Sequence, residues 1–169
     1  MTLEEAVQQV NDAVTIPDML NALNLQVLNL QHAMYSNLED YELEIVAQYM
    51  IDNKGAGYVD HNAIQSTFTN IIDAIIEDWN EIMEDLNAAK ILLSPGDSRT
   101  SITQDLTLPS VGTINGSTFT WTSSNPGIIS DSGIVTRPAV DTIVTLTFLM
   151  EHGYEHYTVS TNFTVKGTN

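Results

Sequence analysis

The chain has 169 residues and a formal net charge of −17, with twenty-two Asp and Glu against five Lys and Arg. That balance leaves almost nothing to neutralise phosphates, which excludes nucleic acid and an anionic membrane surface as partners. Cysteine is absent, so disulfides, thiol chemistry and cysteine metal sites are excluded too, and no apolar run reaches membrane-spanning length.

Met1 leads directly into a charged helical pattern without the apolar core of a signal peptide. The expectation is either an intracellular chain or a segment of a longer exported protein carrying an initiator Met. Residues 3–14 read as a short helix with Leu3, Ala6, Val7 and Val10 on one side and Glu4 and Glu5 in the first turn. Thr15, with Pro17 and Asp18 behind it, signals the start of a second helix over residues 16–23 that buries Met19, Leu20 and Leu23. Residues 25–30 are apolar but rich in Asn and Gln, and read as turn or short helical structure. Ser36 or Asn37 is the expected cap of a third helix, which buries Leu38, Tyr41, Ile45, Val46 and Met50 and ends at the turn over residues 53–57.

Asp60 is the next cap. From it Ile64, Phe68, Ile72, Ile75, Trp79, Ile82, Leu86 and Ala89 recur at helical spacing, predicting one long helix, or two with a kink near Asn80. Ile71, Ile76 and Met83 widen this stripe, which suits packing against the three short helices, with self-association through the long helix as the alternative. The stripe, Trp79 included, is read as core. Asp73, Glu77, Asp78, Glu81, Glu84 and Asp85 are read as one solvated face.

Composition changes near residue 93. Residues 1–92 hold sixteen of the acids against Lys54 and Lys90, a net of −14, whereas residues 93–169 carry a net of only −3. The predicted organisation is an all-α acidic bundle over residues 1–93, a linker or first-strand lead-in over 94–104, and an all-β sandwich over 105–169. Short strands are expected at Leu106 and Leu108, at Phe119 and Trp121, at Ile128 and Ile129, and at Ile134 and Val135. The alternation of Val144, Leu146, Phe148 and Met150, then Tyr157, Val159, Phe163 and Val165, marks a closing hairpin turning at His152 and Gly153. That totals six or seven strands in two stacked layers, with Trp121 sealed between them.

The blocks Asp105-Leu106-Thr107-Leu108-Pro109, Trp121-Thr122-Ser123-Ser124-Asn125-Pro126 and Gly133-Ile134-Val135-Thr136-Arg137-Pro138 carry a resemblance over residues 96–166. This part resembles the atypical bacterial immunoglobulin-like domain, found beside glycoside-hydrolase domains and in surface-layer-type proteins. The helix end at residues 85–92 is similar to the lead-in that precedes such domains, and residues 6–74 resemble a helical repeat of the same exported multidomain proteins. The resemblance implies an immunoglobulin-like sandwich with no catalytic residue to carry over, and the residues themselves indicate no cofactor and no metal site. It further implies a non-enzymatic spacer or envelope building block at the cell surface or outside the cell, whose partners are neighbouring domains of a longer polypeptide or envelope proteins. Binding of a cell-wall or plant polysaccharide, through Tyr154 and Tyr157, is the alternative function, and a phage or virion component is a second one.

Several patterns invite chemistry. Asp52 to Asp60 sits between helices like a calcium loop, but Lys54, Ala56 and Ala63 stand where ligating oxygens belong. His152 and His156 flank the hairpin turn with Glu151 and Glu155; loose zinc or nickel binding lacks a third strong ligand, and the preferred reading is an exposed polar hairpin tip with no metal site. His32 and His61 stand alone. No serine is set in a nucleophile elbow, and Gly55 and Gly57 do not open a phosphate loop. Lys166 is the sandwich's one lysine and is expected on a polar strand face, which argues against an isopeptide crosslink.

Overall fold

The computed structural model describes every residue from Met1 to Asn169. The chain divides into two compact units, Met1–Glu77 and Asp78–Asn169.

In the first unit, α1 (Leu3–Asp12) opens with a capping box between Thr2 and Glu5. α2 (Ile16–Leu23) is capped as expected, the backbone N–H of Asp18 donating to Oγ1 of Thr15 at 3.3 Å. Residues 25–30 form turns that bury Leu28. Neither Ser36 nor Asn37 caps the next helix, because both lie in a single 3-10 turn, Tyr35–Asn37. Leu38 is extended and packs against the core, which delays α3 (Asp40–Asn53) until Glu39 and Glu42 can form its capping box. Ala6, Val10, Met19, Val46 and Met50 meet Ile64, Phe68 and Ile72 in one core, each with no exposed surface.

Those last three residues belong to α4 (His61–Ala88), a single uninterrupted helix, so there is no break near Asn80. Asp60 caps it through Oδ1, which accepts the N–H of Ala63 at 2.9 Å.

The loop that mimics a calcium site is held by other means. Asn11 donates from Nδ2 to the carbonyl of Tyr58 at 3.0 Å and accepts the Tyr58 N–H on Oδ1 at 2.6 Å. Lys54 donates from Nζ to the carbonyls of Asn11 and Ala13, and Asp52 accepts from Gln48. The Tyr58 hydroxyl donates to the carbonyl of Met50 at 2.9 Å, and burial pushes its pKa up to about 12. Replacing Asn11 with Ala removes both partners of the Tyr58 backbone. The expected loss is about 2 kcal/mol of stability in this unit, read as a lower urea midpoint with an unchanged slope.

The second unit contains the end of α4, residues 78–88, and one antiparallel sheet of order β1-β2-β3. β1 (Thr118–Ser123) places Trp121 opposite Phe148 of β2 (Thr142–His152), and β2 places Val144 opposite Phe163 of β3 (Glu155–Val165). The closing hairpin forms, but its two-residue turn is Gly153 and Tyr154, one residue later than expected, because His152 still pairs with Glu155.

The expected six or seven strands are not all there. Leu106, Leu108, Ile128, Ile129, Ile134 and Val135 lie outside strands, and this region keeps only isolated bridges such as Leu92 to Thr107 and Ile129 to Val135. Side chains take the backbone groups a ladder would have used. Asp105 accepts the N–H of Val135 at 2.7 Å, Asp131 that of Ser123 at 2.8 Å, and Asp97 those of Thr103 and Gln104, each at 3.0 Å. Proline at 109, 126 and 138 confines each run to a few residues.

The layer facing the sheet is consequently not a second sheet. At one end Ile102, Leu106 and Ile129 cover Val144, Leu146 and Phe163. At the other, Ile82, Met83 and Leu86 of α4 cover Phe119, Phe148 and Met150. Trp121 joins both clusters but is only half-buried, its ring 4.5 Å from Phe148 and its Nε1–H donated to the carbonyl of Pro109 at 2.6 Å. Trp79, expected in the core, is 38% exposed, and so is Tyr157 at 37%, the two rings meeting edge to face at 5.5 Å.

Candidate functional site

The acids on the last turns of α4 do not form one solvated face. At spacings of three and four residues, Asp78, Glu81 and Asp85 share the side of the helix that carries Ile82.

Asp85 is completely buried. Its Oδ1 accepts the N–H of Ile114 at 2.8 Å and of Asn115 at 3.2 Å. Its Oδ2 accepts the N–H of Ser117 at 2.9 Å and that residue's hydroxyl at 2.7 Å. Asn115 in turn donates from Nδ2 to the Glu81 carbonyl at 3.1 Å and to Glu84 Oε2 at 3.0 Å. Burial alone would raise the Asp85 pKa, but the bonds from Ser117, Ile114 and Asn115 outweigh it and lower the value to about 2. Gly112 closes the cradle, because a Cβ there would lie 2.1 Å from the carboxylate.

One turn earlier, Asp78 Oδ2 accepts the N–H of Tyr154 at 2.7 Å. His152 Nε2 lies 2.5 Å from Glu81 Oε2. The ligand-capable atoms of Asp78, Glu81 and His152 all fall within 4.8 Å of one another.

His156 is not part of this group. It pairs across the hairpin with Glu151, whereas His152 pairs with Glu155, so pleating puts the two imidazoles on opposite faces. His32 lies 3.0 Å from Asp73, and His61 Nε2 contacts the carbonyl of Leu28 at 2.5 Å. Lys166 pairs with Asp141, whose pKa is lowered first by that hydrogen bond.

A second feature is an apolar cavity of about 330 Å³ lined by Leu86, Trp121, Phe148, Val159 and Phe163. Arg99 stands at its edge, its guanidinium 5.9 Å from the Phe163 ring centre.

Sequence comparison takes in the helix end and the sheet together. The pattern of the atrophied bacterial Ig domain matches residues 82–168, just over half of the chain. The chain belongs to that family. The name suits a sandwich reduced to three strands and a set of bridges. The match begins with Ile82, so the atrophied Ig domain includes the Asp85 anchor as well as the strands. No curated protein matches the chain.

The sequence reading missed Asp85. A usable signal was present: an acid in register with Ile82, followed by Gly112 and by the Asn115-Gly116 turn, at which backbone N–H groups need an acceptor.

Proposed function

We propose that the chain is a non-catalytic structural segment of an exported bacterial protein, holding neighbouring domains in place or packing into an envelope layer. The observation that carries this reading is the use made of the α4 carboxylates. Asp85, fully buried, spends both oxygens on four protein donors, and Asp78 spends one on the Tyr154 backbone. These groups build the atrophied Ig domain and do not line a cleft in which a substrate would meet a poised acid and base.

Protease shaving of intact source cells tests the location, with release of the chain's peptides expected. Retention in the cytoplasmic fraction would refute it. Incubation of the purified chain with cell-wall and plant polysaccharides is expected to generate no new reducing ends.

Exposure of Trp79 and Tyr157, with Tyr154 41% exposed nearby in sequence, favours polysaccharide binding as a second reading. Under it Trp79→Ala weakens polysaccharide affinity at least tenfold in calorimetric titration, and equal affinity discards the reading.

A further inference from the structure

We propose that Asp78, Glu81 and His152 bind one divalent transition-metal ion of the zinc class, tying the end of α4 to the tip of the β2–β3 hairpin. Two carboxylates three residues apart on a helix face the same way, and the hairpin brings an imidazole to them. The three ligand atoms converge within 4.8 Å, and the His152 and Glu81 side chains are 24% and 33% exposed, sheltered yet open to an ion arriving from solvent.

The donor set selects the metal. One nitrogen and two carboxylates suit Zn(II), Ni(II) or Co(II), with water in the remaining position. Calcium and magnesium prefer oxygen alone and, for calcium, more ligands than are gathered here. The two carboxylate charges balance a dication, and the chain's net charge of −17 favours its approach.

The ligands are also held in place. The Tyr154 N–H fixes Asp78 Oδ2 at 2.7 Å and leaves Oδ1 available, an outer hydrogen bond of the kind that orients metal ligands. Gly153, at φ +54°, permits this approach, because a Cβ there would lie 2.0 Å from the same oxygen. His152 is positioned by its register opposite Glu155.

Calorimetric titration of the whole metal-stripped chain with Zn(II) tests this. One equivalent is expected to bind and to raise the unfolding temperature, whereas Ca(II) and Mg(II) produce neither effect. His152→Gln and Glu81→Gln, which keep side-chain size, should each weaken Zn(II) binding at least tenfold. His156→Gln, on the other face of the hairpin, and His32→Gln should leave it unchanged. Absence of Zn(II) binding would overturn the proposal and leave the three residues as a hydrogen-bonded clamp. Binding insensitive to His152→Gln, or an equal response to Ca(II), would overturn it as well. Polysaccharide affinity and cell-surface exposure do not enter this readout, so its failure is separate from failure of the structural-segment reading.

Discussion

Replacing Asp85 with Ala is expected to destabilise the second unit by roughly 3–5 kcal/mol. The substitution leaves the N–H groups of Ile114, Asn115 and Ser117 and the Ser117 hydroxyl without their acceptor, and Ser117 is fully buried. It also opens a void between α4 and the loop around Gly112. Asp85→Asn keeps the volume but turns an amide nitrogen toward donors, so roughly 2–3 kcal/mol is expected to be lost. Urea unfolding followed through tryptophan fluorescence measures both, and an Asp85→Ala variant within 1 kcal/mol of the parent, about the worth of one ordinary hydrogen bond, would dismantle the account.

The same residue sets a pH window. Its carboxyl titrates near 3.8 when unfolded and near 2 when folded, so folding favours the ionised form. That contribution, roughly 2 kcal/mol, is fully present above about pH 4 and is lost as pH falls from about 4 toward 2. Asp97 and Asp141, also lowered, act in the same direction. The difference between parent and Asp85→Ala should therefore shrink across this window, which isolates Asp85 from the other two.

Gly133→Ala is the second severe change. Gly133 has φ +87°, where an L residue is strained, and a Cβ there would lie 2.3 Å from the carbonyl oxygen of Leu106. That oxygen cannot step aside cheaply, because the Leu106 N–H is bonded to the Gly133 carbonyl at 2.9 Å. A loss of about 3 kcal/mol or more is expected. Gly116→Ala is the control: φ is +81° with nothing within 4 Å of the added carbon, so only the backbone cost of roughly 1 kcal/mol remains. Equal melting temperatures for the two variants would show that the Leu106 contact contributes nothing.

Local signals in the sequence were reliable where one residue decides the outcome. Thr15 and Asp60 cap helices, and the alternation from Val144 to Met150 gives a strand that buries Val144, Leu146, Phe148 and Met150. The blocks around Trp121 and Gly133 point to an Ig-like domain, and the chain is a member of such a family. Non-local competition was not legible. Leu106, Ile129 and Val135 have strand-like side chains, yet Asp105 and Asp131 bond backbone N–H groups that ladders would have claimed, at separations of thirty and eight residues that no local pattern announces.

The site was hidden for a related reason. A helical acid looks solvated until the loop it meets is known, and the loop that meets Asp85 begins more than twenty residues later. The histidines were misjudged by counting along the chain. The two-residue turn gives Glu151, not His152, as the partner of His156.

The seam suggested by composition, near residue 93, and the edge of the folded unit, at Asp78, are not the same place. A gene fusion or recombination event joined at the Ser- and Pro-bearing stretch would deliver β1, β2 and β3 without Ile82 or Asp85, baring Phe119 and Met150 and stranding the 112–117 loop. The piece that would keep its core when moved is thus the final turns of α4 together with the sheet.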